Sequence, residues 1–127
     1  MNTKFKIALA VVAGTAFGAA AMQGLHAQAK PKAYTITESE LLDAAALAAY
    51  SPLIQAAVTA AGGRRVHLVG GKVVAIEGAA PKRVAINEWG SVEQAQAFSA
   101  SKAYKDLAPQ RDKATKTIRR YAVEVGN

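Results

Sequence analysis

Cysteine is absent from all 127 residues. No disulfide can staple the fold, and neither a thiol nucleophile nor a thiolate metal site is open to this chain. Histidine is almost as scarce: His26 and His67 are the two present, with no H-x-x-x-H spacing. A zinc site would have to be built from carboxylates around one imidazole, so neither a metal nor a cofactor is expected. Aromatic residues make up 6% of the chain and do not interleave with the basic ones, which removes the stacking platform that single-stranded nucleic acid uses. No G-x-S-x-G, P-loop, dinucleotide fingerprint or H-E-x-x-H occurs, so serine hydrolase, nucleotide-binding and zinc-protease classes find no support.

Long apolar runs are also missing, with one exception at the front. Residues 7–22 are sixteen in a row drawn from Ala, Val, Ile, Leu, Phe, Gly, Thr and Met. Lys4 and Lys6 precede them, and Ala27-Gln28-Ala29 follows after a polar bend. A basic start, a short apolar stretch and small residues at Ala27 and Ala29 are the order of a cleaved signal peptide. The run is shorter and richer in Ala and Gly than the ~20 strongly apolar residues of a membrane span. The expected product is therefore an exported protein, periplasmic or secreted, whose only membrane contact is through the transient leader (1–29).

Residues 30–127 form one domain by length. Two of the sixteen Lys/Arg fall in the leader, leaving fourteen against nine Asp/Glu, a net charge of +5. In an exported protein nucleic acid is not the expected partner. A small organic or anionic ligand suits the compartment better, with anionic surfaces as a reading that rests on charge alone.

Along the chain, Ala33–Thr37 alternates and is rich in β-formers, which predicts a first strand. Leu47, Tyr50, Ile54, Val58 and Ala61 recur at three or four, predicting a helix over Asp43–Ala61. Ser51-Pro52 predicts a kink there, with Ser51 capping a restarted helix, and Gly62-Gly63 predicts its end. Arg64–Val69 reads as a second strand and Lys72–Glu77 as a further extended piece. Gly70-Gly71 between them fits a hairpin turn or a bulge. Lys82–Trp89 is a third main strand, and Ser91-Val92-Glu93-Gln94 is a capping box opening a helix with Val92, Ala95 and Phe98 inward. Ser101 caps a further helical stretch that Pro109 interrupts, and the last strand runs from about Thr117 to Val125, with Tyr121, Val123 and Val125 on one face.

Several short motifs recur in one order: Ala33-Tyr34, Gly62-Gly63-Arg64, Gly70-Gly71, Glu77-Gly78, Pro81-Lys82-Arg83, Glu88-Trp89, Ser91 and Ser101-Lys102-Ala103-Tyr104. Together they resemble the domain-of-unknown-function 1330 family over about Lys32 to Val125. Trp89 stands where that family usually has Phe, and Gly90 where it often has Pro. The resemblance implies an α+β, ferredoxin-like antiparallel sheet with helices on one face, in protomers that pair sheet to sheet as a dimeric α+β barrel. It implies no established reaction. Relatives of the superfamily include cofactor-free monooxygenases, muconolactone-type isomerases and haem-degrading enzymes, and fold kinship does not choose among them.

Within that frame, the strand order 4-1-3-2 places Glu38 near Lys82, Arg83, Arg119 and Arg120, as a basic rim or as cross-strand ion pairs. Alternation puts Arg65 and His67 on one face of strand two and Val66 and Leu68 on the other. The more apolar pair is expected to meet the helices and His67 the dimer cleft. His67 is the candidate base by its pKa, with Glu88 as its partner. Tyr34, His67, Arg83 and Trp89 are the candidate ligand contacts, the two aromatics offering flat surfaces. The expected function is an exported, homodimeric domain of unknown activity binding a small organic ligand in its cleft. The alternative is a cofactor-independent oxygenase or isomerase acting on a small aromatic or lactone. Ile36, Ala85 and alternate residues of strand four form the sheet face expected to pair in the dimer.

Overall fold

Extended, β-branched and alternating segments pair into one antiparallel sheet in the computed structural model, which describes residues 30–67 and 71–126. The leader with Ala27 and Ala29 lies outside the described residues, as do residues 68–70 and thus Gly70 of the Gly-Gly pair. The elements are β1 (Ala33–Leu41), α1 (Ala44–Ala60), β2 (Arg64–His67), β3 (Arg83–Trp89), α2 (Val92–Ala100), α3 (Lys102–Lys105), α4 (Ala108–Ala114) and β4 (Thr115–Glu124). The sheet order is β2-β3-β1-β4, with β1 antiparallel to β3 and β4, and β3 antiparallel to β2. The helices cover one face, a ferredoxin-like arrangement. Lys72–Glu77, expected as a further extended piece, forms no strand.

Helix α1 starts where the Asp43 side chain accepts from the Ala46 amide at 2.9 Å. It ends in a Schellman arrangement: Gly62 donates to the Thr59 carbonyl at 3.0 Å and Gly63 to the Val58 carbonyl at 2.9 Å. Gly62 sits at φ 88°, the left-handed region that a side chain disfavours. The restart expected at Ser51 does not occur. Pro52 lies inside one continuous helix, because Tyr50, Ile54 and Val58 are all buried in a single row and hold both halves against the sheet. The carbonyl that Pro52 leaves without its helical partner belongs to Ala48, which is exposed and can turn to water.

Gln94 locks the top of the domain. Its amide donates to Ser91 Oγ at 3.1 Å, completing half of the expected capping box. Its side chain accepts from the Gly90 amide at 2.8 Å and donates to the Ala61 carbonyl, the last residue before the Schellman glycines, at 2.9 Å. Capping of α2 and termination of α1 are thus one hydrogen-bonded unit. Beneath it the core gathers Tyr50, Ile54, Val58, Trp89, Ala95, Phe98 and Ala114. Trp89 and Phe98 lie 5.0 Å apart between ring centroids, and Phe98 meets Tyr104 edge-on at 5.3 Å. Burying each large apolar side chain contributes about 1.5–3 kcal/mol.

Two bulges set what each face carries. Between β1 and β4 the register passes from Ser39 opposite Thr117 to Glu38 opposite Arg119, leaving Ile118 as the extra residue. Strand alternation is reset there: Thr115 and Thr117 face the helices, then Arg120 rather than Arg119 does. Between β2 and β3 the register passes from Arg65 opposite Asn87 to His67 opposite Ile86, with Val66 extra.

Candidate functional site

Side chains from β1, β2, β3, β4 and all four helices except α2's polar face converge on a cavity of about 80 Å³ between the sheet and the helices. Its apolar lining is Leu47, Ile54, Val58, Ala85 and Phe98, and its polar uncharged lining includes Thr37, Ser39, Tyr50, Asn87, Tyr104, Thr115 and Thr117. Four arginines line it, Arg65, Arg83, Arg111 and Arg120, and among the described lining residues there is no carboxylate. Space of this size accommodates about five waters or one small organic anion.

Each arginine arrives by a different route. Arg65 stands on β2 directly opposite Asn87 of β3, Arg83 opens β3, Arg111 comes from the last turn of α4, and Arg120 is turned inward by the β4 bulge. Tyr104 is held between two of them, with the Arg120 guanidinium 4.4 Å and the Arg111 guanidinium 4.8 Å from its ring centroid. Arg120 also donates to Ser99 Oγ at 2.8 Å. Three buried polar atoms on this wall make no hydrogen bond within the protein: Arg65 Nε, Arg111 Nη1 and Asn87 Oδ1. Such atoms are costly when unmet, about 1–3 kcal/mol each. Burial also lowers the Arg65 pKa, although a guanidinium remains charged at neutral pH. Burial pushes the Tyr50 phenol up to about 12, so Tyr50 stays a neutral donor.

The open face of the sheet carries different chemistry. Glu88 accepts from Arg64 at 2.8 Å, from Lys32 at 3.2 Å and from the Tyr34 hydroxyl at 3.2 Å. The bonds from Lys32 and then Arg64 hold its carboxyl below the usual range. Glu38 accepts two bonds from Arg119 at 3.0 and 2.8 Å, and Lys82 reaches Glu40 at 3.5 Å. Of the basic residues expected around Glu38, Arg119 pairs with it and Lys82 with Glu40, while Arg83 and Arg120 line the helix-side cavity instead.

The sequence-derived contacts do not share one face. Tyr34 and Glu88 are paired in register on the open side. Arg83 lines the helix-side cavity. Trp89 is 1% exposed in the core, its indole donating to Thr35 Oγ1 at 3.0 Å, so its ring is not offered to a ligand. Parity explains the split: positions 83, 87 and 89 of a strand face away from 88. Arg65 faces the helices and Val66 is exposed, the reverse of the expected assignment. His67 is described by its backbone alone; it stands opposite Ile86, while Glu88 stands opposite Arg64. Ala85 lines the cavity, not the open face. Asn87 and Arg111 were not singled out from the sequence, and Arg120 was placed only at the rim beside Glu38, since a bulge and a short Pro-led helix aim the two arginines.

Comparison with solved structures agrees on the fold. A protein of unknown function from Rhodopseudomonas palustris, RPA0582, superposes with TM-score 0.55 at 16% identity over 77% of this chain and 85% of that one. The methylated form of RPA0582 gives TM-score 0.58 at 17% identity over 77% and 83%. A putative antibiotic biosynthesis monooxygenase from Chloroflexus aurantiacus matches at TM-score 0.45 and 14% identity, over 75% of this chain and 95% of that one. Among curated proteins none matches the sequence. The model of the domain of unknown function DUF1330 matches residues 32–125, nearly the whole described domain, and the chain belongs to that family.

Proposed function

We propose that this protein is an exported, homodimeric binding domain that holds a small organic anion in the cavity between sheet and helices. The observation that carries the reading is the arginine wall: four guanidiniums around one small cavity, no described lining carboxylate, and two buried guanidinium nitrogens without a protein partner. Guanidiniums repel one another and are costly to desolvate unless an anion sits among them. The apolar lining residues supply a surface for carbon.

Binding rather than turnover is favoured by the lining itself. Tyr50 is held neutral by burial, and guanidiniums do not give up protons near neutral pH. The oxygenase or isomerase alternative would draw its base from outside this described wall. Export rests on the leader; N-terminal sequencing of envelope-fraction protein is expected to begin at Lys30, and full-length chain in the cytoplasm as the main species would overturn it.

The binding test is thermal unfolding of the purified protein against sodium salts of short carboxylic acids, with Arg65→Met and Arg111→Met beside it. A ligand at 100 times its Kd stabilises the folded state by about 2.7 kcal/mol. The wild type should gain that stability and both variants should lose most of it while remaining folded. No rise with any small anion would sink the reading.

A further inference from the structure

We infer that the bound anion is a small hydroxy acid, with its carboxylate at the arginines and its hydroxyl donating to Asn87 Oδ1; this rests on the anion-binding reading above. An arginine cluster alone selects for negative charge and says nothing of the rest of the ligand. Asn87 Oδ1 adds the missing information. It is buried, and it makes no hydrogen bond within the protein. An amide oxygen only accepts. A carboxylate or sulfate oxygen also only accepts and cannot satisfy it, so the group that meets it must carry an O–H or N–H.

The position of this acceptor fixes where that donor lies. Asn87 is the direct register partner of Arg65, whose Nε is itself a buried donor without a partner. The residues that carry this donor and this acceptor thus stand opposite each other on adjacent strands and both line the cavity, and neither atom has a partner. A ligand whose acceptor and donor oxygens are borne on adjacent carbons completes both at once, which is the geometry of a 2-hydroxy carboxylate. Arg111 Nη1, the third unpartnered atom, is free for the second carboxylate oxygen. Leu47, Ile54 and Phe98, which also line the cavity, favour a short hydrocarbon tail over an inorganic oxyanion. The cavity of about 80 Å³ limits that tail to a few carbons.

Lactate and propionate make the decisive pair, differing only by the hydroxyl. Their Kd values for the intact purified protein are measured by calorimetry, with sulfate as the inorganic control. Lactate should bind about tenfold or more tightly than propionate, because propionate leaves the Asn87 oxygen unmet. Asn87→Ala should erase the difference, while Arg65→Met should weaken both acids together. Equal binding of lactate and propionate would overturn the hydroxyl assignment and leave the anion site standing. Sulfate binding as tightly as lactate would overturn the organic assignment alone. Failure of all three to bind would overturn the anion site itself. If Asn87→Ala does not fold, the wild-type lactate-to-propionate ratio still decides.

Discussion

Gly63 shows how much a single absent methyl group can matter. A Cβ built there would lie 2.8 Å from both Cη2 and Cζ3 of Trp89 and 2.8 Å from Val58 Cγ1. Those are rigid, buried groups with no room to retreat, since Trp89 and Val58 are the largest fully buried side chains. Gly63→Ala should therefore destabilise the protein by about 1–3 kcal/mol through overpacking, read as a lower midpoint in urea with unchanged slope. Trp89 itself should tolerate shortening poorly. Trp89→Phe removes indole volume from the core and leaves Thr35 Oγ1 without its 3.0 Å donor, a loss of about 2–4 kcal/mol. Retention of wild-type stability would mean that the family's usual Phe fits this core without further change. The motif Gly62-Gly63-Arg64 was legible in the sequence as a helix end, because helix stop chemistry is local. That Gly63 makes way for a tryptophan 26 positions later was not, because that contact exists only after packing.

At the scale of elements, the local signals read most directly were those that act within one turn: the Ser91 cap, the Schellman glycines and the alternation in β1. The errors arose where tertiary forces outweighed local ones. Pro52 costs an α-helix about 3 kcal/mol in its interior, yet the buried row Tyr50, Ile54 and Val58 keeps α1 whole. Pro52→Ala should return an amide donor to the Ala48 carbonyl and raise stability by about 1–3 kcal/mol, less the entropy that proline removes from the unfolded chain. A lower thermal midpoint for Pro52→Ala would show that the proline is instead matched to a local bend. The bulges at Ile118 and Val66 were invisible for a related reason. Each shifts alternation by one residue, so a strict period of two puts His67 on the face of Arg65 and Thr117 on the face of Tyr121, whereas the bulges separate them. Arg120 reaches the cavity beside Thr117 through one such shift, Arg65 was misplaced because Val66 and Leu68 are the more apolar pair, and no motif spacing brings the four arginines together.

Across the whole molecule, the open sheet face combines ion pairs with uncovered apolar groups, and both make predictions. Bonds from Arg119 hold the Glu38 carboxyl below the ordinary carboxylate range, and those from Lys32 and then Arg64 do the same for Glu88. A depressed folded-state pKa stabilises the fold fully above the unfolded value, about 4.3. That stability is lost as pH falls through the folded values. Unfolding midpoints should be flat from neutral pH to about 5 and fall below about 4, and Glu88→Gln with Glu38→Gln should flatten the fall.

The same face motivates the dimer. Tyr121 is 43% and Val123 46% exposed on β4, beside Ile36 and Ile86, which pair with each other across β1 and β3. Ile36 also stands opposite Tyr121 and Tyr34 opposite Val123, so the apolar groups form one band across three strands. The helices cover the other face and cannot reach this band. A standard interface buries about 800 Å² from each partner; with about 57% of that apolar, the gross gain over both faces at ~25 cal/mol per Å² is about 23 kcal/mol. Association costs about 4–15 kcal/mol, so pairing two such faces leaves a margin for micromolar or tighter affinity. Light scattering at micromolar concentration should give twice the chain mass. Val123→Lys, which sets like charges against the partner's copy of the same band, should give the single-chain mass with the fold retained. Because the cavity lies on the helix side of each sheet, that monomer should still bind the anion, and loss of binding on dissociation would show that the second protomer completes the site.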